Sequence, residues 1–311
     1  MSFAASDLRT LGKSSLKVSA VGIGCNNFGG RMDAAATKLV VEKALDLGVN
    51  LFDTAESYGQ GLSEEFLGAA LGKRRKEAVI ATKCSLGTRA KVMEACEKSL
   101  KRLGTDYIDL YQIHRPDPSA TTEETLRALD ELVKQGKVRF IGHSNYNGAQ
   151  TAEAAKLSAD NKLTSYISAQ NHYSLLTRDI ENDLVPACEA NGVGILPYFP
   201  LESGMLTGKY KRGEKPAEGT RLATWSKNPG AAERFMNDDK LTKVEKLQAI
   251  ADKNGSTLLQ MAFGWLLSKP YIGSVIAGAT KPEQVESNVA AAAWRPNAQV
   301  NAEIDKITKT A

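Results

Sequence analysis

The sequence predicts an α/β protein built as a closed (β/α)8 TIM barrel, with an N-terminal β-hairpin and a long loop after strand 7. Three observations carry that expectation. Eight short apolar runs recur along the 311 residues, segments of helical period lie between them, and polar residues gather where the runs end. With 42% hydrophobic residues the chain can bury a large core. Barrels of this length are routinely one domain, and residues 1–311 contain no linker that would divide them.

The first segment, residues 8–18, carries a turn at 12–15 and reads as a hairpin capping the barrel floor. The eight runs follow at 18–24, 49–53, 78–83, 107–114, 138–144, 166–170, 192–198 and 274–277. Between the first two, Leu39, Val40, Lys43, Ala44 and Leu47 fall at helical spacing across residues 34–47, and Gly48 is placed to stop the helix. Ser63, followed by Glu65 and Phe66, opens the next helix. The stripe Leu126, Leu129, Leu132 and Val133 marks a helix over 121–135, ended by Gly136. Strand and helix alternate in this way throughout. Such alternation requires parallel strands joined by crossover helices, and eight units favour closure over an open sheet. The excursion from 201 to about 239 is rich in Gly, Pro and basic residues, and a loop of that length is usually functional.

Charge and cysteine usage narrow the partners. Forty basic residues against 36 acidic ones, spread evenly, give no nucleic-acid footprint, though the small excess suits a phosphorylated cofactor. The opening MSFAASDLRTLG lacks the basic and apolar regions of a secretory leader. No apolar run approaches the roughly 20 residues that span a bilayer, so no membrane partner is expected. Cys25, Cys84, Cys96 and Cys188 form no C-x-x-C pair, which points to a reducing, cytoplasmic setting.

In a barrel of this class the active site lies at the C-terminal mouth. Asp53, Lys83 and His114 end the second, third and fourth runs, Ser144 and Asn145 the fifth, and Gln170 and Asn171 the sixth. Each alone has an ordinary explanation as a turn former, a solvated cation or a core histidine. Three adjacent strands ending in acid, ammonium and imidazole do not, least of all with Tyr58 five residues beyond Asp53. A phenol titrates near pH 10, so it needs a neighbouring cation to release its proton at neutral pH. Lys83 supplies the cation, Asp53 holds it charged, and His114 can hydrogen-bond the reacting oxygen. The set suits protonation of an oxygen that is gaining negative charge.

The stretches FDTAESYG, ATK, LYQIH, HSN, AQNHYSLL, PYFPLESGMLTGKY and GATKPEQVESN occur in the order, and on the strands, that resemble the aldo-keto reductase superfamily, including its bacterial and potassium-channel β-subunit-like branch. The match covers residues 18–288. The resemblance implies a tetrad of Asp53, Tyr58, Lys83 and His114, in which Tyr58 protonates a carbonyl oxygen as a reduced nicotinamide delivers hydride. It assigns Ser144, Asn145 and Gln170 to the carboxamide and Tyr198 to stacking on the nicotinamide ring. Leu201, Ser203, Gly204, Leu206 and Lys209 match the loop over the pyrophosphate. Gly278, Thr280, Lys281, Gln284 and Asn288 match the adenosine-binding stretch. Backbone donors and the helix start after Pro282 favour phosphate, and Lys281 suits a 2′-phosphate, so NADPH is expected with NADH still open.

Phe28, Tyr146 and Trp225 are the candidates for the substrate pocket of a small-molecule carbonyl compound. His143, Phe199 and Ala277 depart from the residues usual in this family. Only residues 84–87 lie between Lys83 and the next helical stretch, which implies an open pocket that admits bulky ketones. The glycine patterns GIGCNN and GVGILP each lack the third glycine of a dinucleotide fingerprint, so neither supports a Rossmann fold. Rival readings remain. His114, His143 and His172, spaced 29 apart (143 − 114 and 172 − 143), would suit a metal-dependent TIM-barrel hydrolase, although no metal is expected. Lys83 would suit a Schiff-base aldolase, which its acidic neighbour opposes. A non-catalytic NADPH-binding regulatory subunit is the third. The oligomeric state is not legible.

Overall fold

The computed structural model describes residues 8–225 and 236–309. Leu8–Thr10 (β1) and Lys17–Ser19 (β2) pair antiparallel through the turn between them. This hairpin plugs the floor of the barrel. Leu11, Leu16 and Val18 pack with Leu51, Ala81, Leu110, Leu196 and Ile276, the inward residues of five strands. Gly12 sits at φ +58, and a Cβ there would come within 2.6 Å of the Gly192 carbonyl, so the tip requires glycine. Arg9 fixes the other side by donating to the carbonyls of Leu267, Lys269 and Ile272. The expected run at 18–24 is therefore divided at Ala20, since its first part belongs to the hairpin.

Eight parallel strands form the barrel: Val21–Gly24 (β3), Leu51–Asp53 (β4), Val79–Cys84 (β5), Ile108–Ile113 (β6), Val138–Ser144 (β7), Tyr166–His172 (β8), Gly194–Tyr198 (β9) and Val275–Gly278 (β10). From β3 to β9 each pairs with the next in chain order, and β10 pairs with β3. The seam between β9 and β10 is closed just before β10, where Ile195 N–H donates to Tyr271 and Gly273 N–H to Ile195.

The helices Ala34–Asp46 (α1), Leu62–Leu71 (α2), Arg89–Leu103 (α3), Thr122–Lys134 (α4), Gly148–Asn161 (α5) and Leu184–Asn191 (α6) cover the first six barrel strands. Caps set their ends. Asp33 accepts from Ala36 N–H at the start of α1, Thr121 from Glu124 N–H at the start of α4, and Asn147 with Gln150 forms a capping box on α5. Helix α2 departs from expectation. Gly61 precedes it, and Ser63 lies inside its first turn, where its buried hydroxyl donates to the Cys25 carbonyl and contacts the Thr54 hydroxyl at 2.8 Å.

After β9 come a 3-10 segment Glu202–Thr207, then Arg221–Trp225 (α7), Asp238–Lys253 (α8) and Leu258–Leu267 (α9). Pro282–Ala291 (α10) and Ala298–Thr308 (α11) follow β10. The main core lies between sheet and helices, with Phe52, Tyr111, Phe263 and Trp265 fully buried in it. All four cysteines are buried and free. Among the described residues no helix is long and apolar enough to cross a membrane.

Candidate active site

Asp53 closes β4 and Lys83 lies one residue from the end of β5, its neighbour in the sheet. Lys83 is fully buried. Its ammonium donates to Asp53 Oδ1 at 2.8 Å and Oδ2 at 2.9 Å, to the Thr54 carbonyl at 2.8 Å and to the Tyr58 hydroxyl at 3.5 Å. Burial alone would push this ammonium's pKa down, but Asp53 and Tyr58 together outweigh it and the net direction is up. That direction opposes the Schiff-base role, which needs the neutral amine.

Tyr58 reaches the group by a sharp reversal of the chain. Gly59, Gln60 and Gly61 stand at φ +55, +57 and +97 in succession, and a Cβ on Gly59 would lie 3.0 Å from the Phe28 carbonyl. The phenol's pKa is raised, because burial exceeds the opposing pull of Lys83. The expectation that Lys83 favours the phenolate holds for its own contribution and not for the net. In this state Tyr58 is a protonated donor. His114, just past β6, lies edge-on to Tyr58 with ring centroids 5.8 Å apart. Burial, Lys83 and Arg115 push its pKa down to about 4, so the imidazole is neutral at physiological pH.

The other residues assigned from the sequence line the same mouth. Gln170 Nε2 donates to Asp53 Oδ1 at 2.7 Å, placing that amide in direct contact with the tetrad. Ser144 Oγ donates to the Gln170 carbonyl. Asn145, at φ +60, donates to the His114 carbonyl and accepts from the Tyr198 hydroxyl at 2.8 Å. The Tyr198 ring stacks on His172 at 5.5 Å and 19°.

Beyond Leu201 the residues Glu202, Ser203 and Gly204 take φ values of +45, +56 and +102. The N–H groups of Glu202 and Gly204 donate to the Phe199 and Leu201 carbonyls at 2.9 and 2.8 Å, so the segment is a tight turn closed on itself. Ser203 Oγ is buried there without a partner, and a Cβ on Gly204 would strike the Lys209 side chain, 2.4 Å from Cε. Leu206 is fully buried, so it supports the loop from beneath. Beside it, beyond the seam, Gly278 ends β10, exposed Lys281 precedes α10, Gln284 accepts from Thr280 N–H, and Asn288 is buried. The unpartnered serine hydroxyl and the flanking Lys209 ammonium fit a dinucleotide's phosphates.

The pocket residues fare differently. Phe28 has no exposed surface and belongs to the core, so it does not line an open pocket. Tyr146 is 6% exposed, stacked on His143 at 4.6 Å and edge-on to Tyr166. Phe28 was expected at the mouth because it follows the first strand, but its ring and that of Tyr146 are buried in the packing. Trp225 ends α7, and its side chain lies outside the described residues. Half-buried Phe199, at φ +50, stands edge-on to Tyr198 and His172, with Arg221 5.6 Å over its ring. Arg221 also reaches Asn27 Oδ1 at 3.2 Å, bringing the long loop onto the β3–α1 connection. Sequence reading missed Arg221 and Glu202. Nothing marks that arginine within a polar, aperiodic stretch, whereas an acid between Leu201 and Met205 was a usable signal.

The three histidines do not converge. His143, in β7, is fully buried with its ring 3.3 Å from the Thr151 hydroxyl, and burial lowers its pKa to about 3. His172 contacts Glu202 at 2.7 Å. Among the described residues no three His, Cys, Asp or Glu side chains come together as a metal-holding group.

Fold and site thus define an α/β barrel whose polar side chains converge at the C-terminal mouth on a buried lysine. The aldo/keto reductase family model matches residues 20–309, and the chain belongs to that family of oxidoreductases. It is 38% identical over 297 residues to a probable voltage-gated potassium channel subunit beta of Arabidopsis thaliana, covering 91% of this chain and 90% of the other. A putative subunit of the same kind from Schizosaccharomyces pombe is 38% identical over 320 residues, covering 96% and 89%. The L-glyceraldehyde 3-phosphate reductase of Escherichia coli strain K12 is 33% identical over 301 residues, covering 91% and 86%.

Proposed function

We propose that this protein is a single-domain, cytoplasmic, NADPH-dependent reductase of a small aldehyde or ketone. The observation that carries the reading is the buried Asp53–Lys83–Tyr58 chain with neutral His114 beside it. A reduced nicotinamide, when bound, supplies hydride to the carbonyl carbon. Tyr58 gives its hydroxyl proton to the oxygen, which becomes the alcohol. Lys83 stabilises the phenolate left behind, and Asp53 keeps Lys83 charged and aimed. His114 donates a hydrogen bond to the oxygen without changing its own charge. Gln170, Ser144 and Asn145 orient the carboxamide, Tyr198 supports the ring, the 201–209 loop takes the pyrophosphate, and the 278–288 stretch holds the adenosine end. Lys281 favours the 2′-phosphate of NADPH, and NADH is the weaker alternative. The short turn at 85–88 between β5 and α3 leaves room for bulky carbonyl compounds.

The similarity to a named reductase supports turnover over a purely regulatory role. The test is an aldehyde and ketone panel followed at the NADPH absorbance band, with alcohol quantified by mass spectrometry. One alcohol per NADPH consumed is expected. NADPH binding without oxidation by any carbonyl compound would leave the regulatory reading in its place.

A further inference from the structure

Three residues in a row with positive φ, of which only Gly204 is a glycine, require something to hold them. Glu202 is the best-anchored member of the segment. Its carboxylate is fully buried and accepts from four groups. His172 Nε2 lies 2.7 Å from Oε1, the Ser174 and Thr177 hydroxyls donate to the same oxygen at 2.6 and 2.7 Å, and Lys240 donates to Oε2 at 2.9 Å. These partners come from the end of β8, the loop after it, and α8. Burial pushes the carboxyl up, yet His172 and Lys240 draw it down to about 2, so it is ionised at any working pH.

The same imidazole that contacts Glu202 stacks on Tyr198 and stands edge-on to Phe199 at 5.6 Å. Tyr198 in turn donates to Asn145, which donates to the His114 carbonyl. One run of contacts therefore joins α8, the left-handed loop, the aromatic beside the mouth and the tetrad. Nothing in this run touches the reacting atoms through Glu202 itself.

We propose that Glu202 is a positioning residue that latches the left-handed 202–204 loop in place beside Lys209 and, through His172, ties that loop to the ring of Tyr198. It therefore governs how long the dinucleotide stays bound. The inference rests on the NADPH reading above. Glu202→Gln keeps the side-chain volume and removes the charge that four donors face. Loss of a buried charge-assisted contact corresponds to roughly 10- to 100-fold in an equilibrium constant, and the change is expected in the NADPH dissociation rate.

The experiment is stopped-flow chase of nicotinamide fluorescence from preformed complexes of the wild type, Glu202→Gln, His172→Gln and Lys240→Met, with thermal midpoints measured in parallel. All three variants are expected to release NADPH faster, Glu202→Gln most, and His172→Gln combined with Glu202→Gln no faster than Glu202→Gln alone. A lowered midpoint with an unchanged dissociation rate overturns the latch and leaves Glu202 as a fold-stabilising residue. Should Glu202→Gln fail to fold, Lys240→Met and His172→Gln decide the matter by the same criterion. A wild type that binds no NADPH removes the cofactor reading and the latch together.

Discussion

Removing the charge of Lys83 is the sharpest perturbation the site offers. Lys83→Met keeps the aliphatic stem but leaves Asp53, only 4% exposed, with the Gln170 amide as its side-chain donor. Breaking a buried ion pair from one side costs about 3–5 kcal/mol, whereas replacing both charges is often near neutral. Asp53→Asn attacks the same pair from the acid side. If the pair acts as a unit, the two single costs do not add, and Lys83→Met/Asp53→Asn should recover at least about 2 kcal/mol of their sum. Because the net shift raises the Lys83 pKa above its ordinary 10.5, its contribution is fully present below that value and is lost only as pH rises through the higher folded pKa. The difference between wild type and Lys83→Met should thus stay flat from pH 7 to 9. Urea unfolding of the four proteins measures both quantities. Additivity within about 0.5 kcal/mol, or a difference that already shrinks over that range, would refute the pair.

Two further outcomes follow from the same geometry. His143 is buried and titrates near 3 in the folded chain, so its neutral form is favoured and stability is lost as pH falls from 6.5 toward 3. Between pH 7 and 5 the wild type should lose roughly 2 kcal/mol more than His143→Phe in urea unfolding, at about 1.4 kcal/mol for each pH unit below 6.5; equal losses would contradict the assignment. Lys281→Ala should raise the KM for NADPH about tenfold or more while leaving that for NADH within twofold, consistent with the loss of one charge-assisted phosphate contact; steady-state kinetics with both cofactors is the check.

The barrel was legible because its signal is periodic. Apolar runs ending at Asp53, Ser144 and Tyr198 coincide with strand ends, and Gly48 and Gly136 stop their helices as their positions suggest. The Asp53–Lys83 contact was legible because strand order brings the two together from positions 30 residues apart, a consequence of parallel neighbours. What sequence could not give was side-chain direction after the strand ends. Phe28 and Tyr146 follow strands just as Tyr58 does, but their rings enter the core and the His143–Tyr166 stack. Nor does residue type reveal balance: Lys83 pulls the Tyr58 phenol down as expected, and only burial, which depends on the whole fold, reverses the net. Arg221 escaped because it lies in a stretch without periodicity and its partner Asn27 is 194 residues away, and the acid at Glu202 gave a signal but not its partners, such as Lys240 38 residues on.

The central claim is that Tyr58 provides the proton for carbonyl reduction, and Tyr58→Phe tests it most directly. With the best aldehyde of the panel, NADPH oxidation should fall by about 10²- to 10⁴-fold, the range for losing a positioned general acid, while NADPH still quenches the protein's fluorescence with near wild-type affinity. Undiminished oxidation by Tyr58→Phe would contradict the account.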